Sequence, residues 1–309
     1  MKEFADVKQV SDVRSMPLRI LHMWWAILTC PKDHKVVIDT YSTTAFNFAW
    51  TSGILCKLRG LPYVPILRGG DLPHRYDKSP VKMKRYLDNC LDVIAPSTYL
   101  QKELGSRWGK TPSLIPNYIE LENYTFKKRE TLKPKMLWVR AFHETYNPLM
   151  AIDVLEEVLR KYPNAELCMV GPDKDGTMEQ TKAYAKERGV EANVEITGRM
   201  SKPDWLALSE KYDVFINTTN FDNTPVSVIE AMALGLPVIS TNVGGIPDLF
   251  ENGREGIQTS IADHMEMAEA VKRLVQDGNE GLRLATNART LVDNFSWAKV
   301  KESWKQLLS

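Results

Sequence analysis

The chain has 309 residues, 43% of them hydrophobic and 26% charged, with a formal net charge of +1. This composition excludes a disordered or fibrous chain, and the length suits about two soluble domains of roughly 150 residues each. No apolar run approaches the roughly 18 residues of a transmembrane helix, and the start, MKEFADVKQVSD, lacks the apolar centre of a signal peptide.

In chain order, the apolar run LRILHMWWAIL at 18–28 reads as a core helix, with an interfacial helix as the alternative. VVIDT at 36–40 reads as a strand, and 45–60 as a helix stopped by Gly60. PYVPILRGGD at 62–71 is a second strand followed by Gly69 and Gly70. A helix over 80–91, a strand at DVIAPS (92–97), a further helix and SLIPN (113–117) complete a repeating order of strand, loop and helix. Such an order predicts a parallel sheet with helices on both faces. Periodicity then fades and charge rises over 120–135, where a domain boundary is expected.

The pattern restarts with a strand at MLWVR (136–140) and a helix over 147–163 with Pro148 in its first turn. A strand and turn at 165–176, a helix over 177–189 and a strand at 194–200 follow. Strands at 212–220 and 236–242 flank a helix over 224–235, and helices close the chain at 265–278 and 297–308. The expected domains are 1–125 and 126–295, with a terminal helix, 296–309, packing back toward the first domain. Two α/β domains of this kind place ligands in a cleft, beyond the carboxyl ends of their strands.

The small net charge hides an asymmetry. Residues 1–130 hold 20 Lys and Arg against 13 Asp and Glu, a net of +7, and residues 131–309 hold 20 against 26, a net of −6. A basic half favours an anionic partner such as a membrane surface or a phosphorylated substrate. The basic clusters KMKR (82–85) and KKR (127–129) lack interleaved aromatic residues and do not support nucleic-acid binding. Cys30, Cys56, Cys90 and Cys168 are too widely spaced for a metal site and read as free thiols in a reducing compartment. His22, His34, His74, His143 and His264 are dispersed, and only His143, just past Arg140, is a candidate for facing the cleft.

The densest chemistry lies in NTTNFDNTPVSVIEAMALGLPVISTNVGG, 217–245. A strand ends in polar residues, and Thr224-Pro225 opens a helix, with Thr224 suited to cap its first amides. Those free N–H groups form a site for an anion such as a diphosphate. Asp222 precedes the helix and Glu230 lies inside it, and either carboxylate can accept hydrogen bonds from sugar hydroxyls. On spacing alone Asp222 reads equally as a plain loop acid. An ordinary solvent-facing position is the alternative for Glu230, but its neighbours Val228, Ile229, Ala231 and Met232 are apolar. Gly244 and Gly245 would let the backbone approach a phosphate, although turns also use such pairs.

The stretch from Asp222 to Gly253 resembles the signature of retaining glycosyltransferases of family 4, which have the GT-B fold. That family carries an acid, seven intervening residues and a glutamate, followed by E-A-M-A-x-G-x-P-V and a Gly-Gly loop. Weaker likeness extends to WVRAFHETYNP (138–148), GPDKDG (171–176), APSTYL and IPN (95–117). The resemblance implies an α/β GT-B fold, two Rossmann-like domains facing a central cleft, here with a shortened N-terminal domain in which the usual first glycine-rich loop has no counterpart.

It further implies that Glu230 binds the ribose of a nucleotide diphosphate sugar. Asp222 stands near the donor sugar where the family usually has glutamate. The amides of Asn223, Thr224, Pro225 and Val226, with those around Gly244, would hold sugar and diphosphate, and Arg199 and Met200 would lie beside the base. Arg140 matches the arginine that neutralises the departing diphosphate. The lysine that normally follows falls near Tyr146 and is missing. Arg68 stands where relatives often have histidine, with phosphate binding, acceptor binding or a salt bridge to Asp71 as its possible roles.

The implied activity is transfer of a sugar to a saccharide or lipid-linked acceptor with retention of anomeric configuration and no obligatory metal or other cofactor. The setting is cytoplasmic, peripheral to an anionic membrane surface, with polysaccharide biosynthesis as its context. A nucleotide-sugar 2-epimerase and a catalytically weak nucleotide-sugar-binding protein are the alternatives.

Overall fold

Apolar runs alternating with polar loops fold into two separate parallel sheets in a computed structural model, which describes residues 3–11, 13 and 15–308. One unit comprises Met1–Asn117 with Ala298–Ser309, and the other Tyr118–Trp297. Both are of the Rossmann-like α/β type, in which parallel strands alternate with helices.

The first unit runs α1 (Met16–Thr29), β1 (Val36–Thr40), α2 (Phe46–Arg59), β2 (Tyr63–Leu67), α3 (Leu72–Lys78), α4 (Pro80–Asp88), β3 (Ile94–Ala95), α5 (Thr98–Trp108) and β4 (Ser113–Leu114). The sheet order is β1-β2-β3-β4, and β1 pairs with β2 in the register Val36 to Tyr63 through Thr40 to Leu67. Every residue of β2 is buried, as a strand covered on both faces requires. The free thiols of Cys56 and Cys168 are buried, and those of Cys30 and Cys90 half-buried.

The 18–28 run departs from the core helix expected of it. It lies in α1, where Leu18, Leu21, Trp25 and Leu28 are exposed, Trp25 at 66%, and Ile27 alone of the helix is buried. A helix buries one stripe against its neighbour. Here α1 packs on α2, and apolar residues on its outer face exceed what α2 covers.

The second unit contains β5 (Lys135–Val139), α6 (Pro148–Leu159), β6 (Glu166–Val170), α7 (Thr177–Glu187), β7 (Val194–Gly198), α8 (Lys202–Ser209), β8 (Val214–Asn217), α9 (Val226–Ala233), β9 (Val238–Thr241), α10 (Ile246–Leu249), β10 (Ile257–Thr259), α11 (His264–Gln276) and α12 (Gly278–Val292). A last helix, α13 (Trp297–Leu308), falls almost wholly in the first unit, where the Lys35 ammonium donates to the Leu307 carbonyl at 3.3 Å. The second sheet has the order β10-β9-β8-β5-β6-β7, with all neighbours parallel. The chain thus builds outward from β5 to β7, then returns to the other side of β5 with β8. Adjacent residues of β5 serve opposite faces. Trp138 joins Val154 and Val271 in one core, and Leu137 joins Phe215 and Met232 in the other.

The charged stretch 120–135 is part of this unit rather than a joint between units. Its anchor is Arg129, which is 4% exposed. The guanidinium donates to the carbonyls of Tyr212 and Leu234 at 3.0 Å each, and to those of Lys127 and Ser209 at 3.2 Å. Ser209 ends α8 and Leu234 follows α9, so the arginine satisfies carbonyls that helix ends leave open. Burial pulls its pKa down to about 10, with the Asp213 carboxylate 3.6 Å away acting in the opposite sense.

Removal of this side chain strands several buried carbonyls, so Arg129→Ala is expected to cost about 2–4 kcal/mol. Thermal unfolding followed by circular dichroism should show a Tm lower by roughly 5–15 °C for a unit of this size. An unchanged Tm would show that the arginine is dispensable.

Candidate functional site

The strand order reverses between β5 and β8, and in open parallel sheets ligands usually bind beyond the carboxyl ends of the strands at such a switch point. Two loops emerge there, 140–147 after β5 and 218–225 after β8. Threonines join them. Trp138 Nε1 donates to Thr218 Oγ1 at 3.0 Å, and that hydroxyl lies 2.9 Å from the Tyr146 carbonyl and 2.8 Å from that of Asn147. The Thr145 carbonyl accepts from the Thr219 hydroxyl at 3.1 Å and from the Asn220 amide at 2.8 Å. His143 Nδ1 accepts the Thr145 amide at 3.1 Å, so this histidine caps the short turn 144–146.

The joined loops bring Arg140 and Asp222 together as an ion pair, with their side chains only 13% and 12% exposed. The guanidinium also lies over the Tyr146 ring, its central carbon 3.9 Å from the ring centroid. Thus the position near which the family lysine would fall carries an aromatic face for Arg140. Asp222 Oδ1 accepts the Asn223 amide at 2.8 Å, and the Thr224 amide also donates to this carboxylate. Burial raises the Asp222 pKa, while the Arg140 charge and the amide donors oppose that rise.

Glycines permit the close packing. A Cβ on Gly171 would stand 1.7 Å from the Arg140 carbonyl oxygen. One on Gly244, which has φ +56, would stand 2.0 Å from that of Asp222. The Gly245 amide donates to the same Asp222 carbonyl at 2.9 Å. Gly244 therefore packs against the backbone that carries Asp222.

Glu230 lies within α9 and is 6% exposed. Its Oε1 accepts from the Tyr124 hydroxyl at 2.9 Å and from the Lys202 ammonium. Burial pulls the Lys202 pKa down to about 8.

Several expectations change. Thr224 does not cap α9. Pro225 occupies the cap position and, as proline, offers no side-chain cap to the first turn. Pro225 has no N–H, and the amides of Asn223 and Thr224 serve Asp222, so Val226 and Ser227 head the first-turn amides. Arg68 belongs to the first unit, where it donates to Asp39 Oδ1 at 2.8 Å and Asn117 Oδ1 at 3.0 Å rather than to Asp71. Arg199 is exposed beyond β7, and Met200 beside it packs on the core containing Leu137. Tyr124, Lys202 and the Tyr146 ring were not anticipated as site groups. A tyrosine in a charged stretch and a lysine opening a polar helix carry no local signal of a shared carboxylate.

Comparison with known proteins agrees with this architecture. The glycogen synthase of Mycobacterium tuberculosis is 25% identical over 200 residues, covering 63% of this chain and 47% of that enzyme. The spore coat protein SA of Bacillus subtilis is 24% identical over 255 residues, covering 74% of this chain and 67% of that protein. The chain therefore spans about half the length of the first of these relatives. Among solved structures, HepE of Anabaena in complex with UDP matches with a TM-score of 0.78 and 17% identity, over 95% of this chain and 84% of that one. TarM matches with a TM-score of 0.76 and 16% identity, over 94% of this chain and 58% of that one. These likenesses show the fold, which is GT-B. The family model described as "Glycosyl transferases group 1" matches residues 122–291, more than half of the chain, and the protein belongs to that family.

Proposed function

We propose that this protein transfers a sugar from a nucleotide diphosphate donor to a saccharide or lipid-linked acceptor, with retention of anomeric configuration. The observation that carries the reading is the meeting of Arg140 and Asp222 at the strand switch point, with Glu230 buried in the helix that follows. HepE, which shares the fold, is described with UDP, and the M. tuberculosis relative is a glycogen synthase. The family model and the named synthase are transferases, so the epimerase alternative gains no support.

In this reading the ribose hydroxyls donate to Glu230. The departing diphosphate gains negative charge, which Arg140 and the first-turn amides of α9 stabilise in a site shielded from water. Asp222 accepts from the donor sugar and favours positive character at its reacting carbon. The acceptor attacks from the face that the diphosphate leaves, which preserves the configuration. Because fixed cationic and dipolar groups supply the neutralisation, no metal is required.

Loss of a charge-assisted hydrogen bond costs about 1.5–3 kcal/mol, so Glu230→Ala should weaken nucleoside diphosphate binding by roughly tenfold to a hundredfold. Calorimetry on the folded variant checks this, and equal affinity would remove Glu230 from the site. Arg140→Lys should lose substantial kcat in a donor-sugar assay read by mass spectrometry, because lysine reproduces neither the planar fork nor the stacking on Tyr146. Turnover should persist in EDTA. A full rate in Arg140→Lys, or its loss on chelation, would refute the electrostatic account. A variant that binds donor but never transfers sugar would favour the binding-protein alternative if wild type behaved the same.

We further infer that the first unit meets an anionic membrane surface from the cytoplasmic side. Support comes from the exposed apolar stripe of α1 and from the charge of that unit, whose residues 1–117 and 298–309 hold 20 Lys and Arg against 11 Asp and Glu. Among the described residues no helix is long and apolar enough to cross a membrane. Wild type should float with anionic vesicles at low salt, and much less with neutral ones or at high salt. Leu21→Ser with Trp25→Ser, or Lys82→Glu with Lys84→Glu and Arg85→Glu, should reduce flotation. Equal flotation on both lipids, or none, would defeat the membrane reading and leave a soluble acceptor.

A further inference from the structure

We propose that Lys202 is a built-in competitor for the Glu230 carboxylate, whose ammonium must leave Oε1 before the hydroxyls of a nucleotide ribose can take that oxygen. The proposal rests on the reading of Glu230 as the ribose acceptor. Two donors converge on Oε1, the Tyr124 hydroxyl and the Lys202 ammonium. A vicinal diol that donates both protons to one carboxylate engages both of its oxygens. Ribose must therefore contest Oε1 with whichever of the two donors is easier to move.

The two donors differ in how firmly they are held. Tyr124 is buried, and its carbonyl accepts from Arg289 Nη1 at 3.3 Å. Lys202 is the first residue of α8, and its side chain remains 48% exposed. Its backbone is set by Pro203 and by Ser201, whose hydroxyl accepts the Asp204 amide at 3.4 Å. The ammonium stands 5.5 Å from the Tyr124 ring centroid and 5.2 Å from that of Trp205. A cation between two aromatic faces, on a four-carbon stem with an outlet to solvent, is held by contacts that it can exchange for water. Lys202 is thus the movable donor, and Tyr124 remains to orient the carboxylate for a diol.

Calorimetry on the full chain tests this with UDP, ADP, GDP and inorganic pyrophosphate as probes, using wild type, Lys202→Met, Lys202→Gln, Glu230→Gln and Lys202→Met with Glu230→Gln. Removing a half-exposed ion pair should release about threefold to tenfold in affinity. Lys202→Met and Lys202→Gln are expected to bind the preferred nucleoside diphosphate tighter by that factor. Pyrophosphate, which has no ribose, should bind as to wild type. In the Glu230→Gln background the gain from Lys202→Met should vanish. Thermal unfolding confirms that each variant is folded.

Unchanged nucleotide affinity in both lysine variants would overturn the proposal. So would weaker binding of both nucleotide and pyrophosphate, which would make Lys202 a phosphate ligand instead. If Glu230→Gln binds nucleotide as well as wild type, the ribose reading itself fails and the competitor falls with it. If Glu230→Gln binds more weakly while Lys202→Met gains nothing, the competitor fails alone. Absence of binding for all three nucleotides in every protein would overturn both.

Discussion

The ion pair of Arg140 and Asp222 is the constraint on which the second unit depends. Two charges withdrawn from water persist only when each is well partnered. Asp222 collects the guanidinium and two backbone amides, and Arg140 gains the Tyr146 ring on its face. The pair exists because β5 and β8 are neighbours, although β6 and β7 come between them in the chain. Close backbone approaches on both sides, at Gly171 beside Arg140 and Gly244 beside Asp222, leave no room for a side chain. Thr218 and Thr219 then lock the two loops together, so the geometry of the pair follows from the sheet and not from loop chance.

Glu230 solves a different problem. An acid in the middle of a buried helix is costly unless hydrogen-bonded, and its partners come from far along the chain. Tyr124 reaches it from the 120–135 stretch and Lys202 from the start of α8. Tyr124 is in place because that stretch is pinned, with Arg129 binding the ends of α8 and α9 a few residues further on. The five hydrogen bonds that Arg129 and Tyr124 donate explain why so charged a segment belongs to the folded unit. The buried charge of Arg129 satisfies helix ends and the Tyr124 hydroxyl an acid, while Glu120, Glu122, Lys127, Lys128, Glu130 and Lys133 face solvent.

Legibility in the sequence followed the range of the interactions. The strands β1 and β5 and the helices α2 and α9 are visible within a residue or two, because apolar runs and their stop signals are local, whereas β8 and α6 end three and four residues earlier than expected. Asp222 and Glu230 stand in one local motif and Arg140 at a strand end, but spacing alone leaves Asp222 equally a loop acid, and only the family resemblance suggests a role for Arg140. The helices α8 and α12 and the short strand β10 were not named, since polar faces and three-residue strands barely alter the pattern. The helix α1 misled because an apolar run does not say whether a partner covers it. Thr224 misled because the preceding Asp222 draws the amides of Asn223 and Thr224 to itself and moves the helix start to Pro225. Tyr124, Lys202 and Tyr146 were unreadable because each acts on a residue brought near only by folding.

The aromatic at 146 and the aspartate at 222 are best understood together. With tyrosine near the position of a second cation, Arg140 and Asp222 form a formally neutral pair, and in the proposed reaction the departing diphosphate would meet less fixed positive charge than an arginine and a lysine offer. The guanidinium carbon lies over the Tyr146 ring, and one N–H of the same group bonds the Asp222 carboxylate. These two directions are independent. In the proposed reaction the edge can shift its N–H groups from carboxylate toward phosphate while the face stays on the ring, so the cation is redirected without being released. Asp222 keeps its amide donors from Asn223 and Thr224 during that exchange, and these oppose the rise in its pKa that burial causes. On this account catalysis draws on the redistribution of one arginine between two anions, with the aromatic ring as the fixed support.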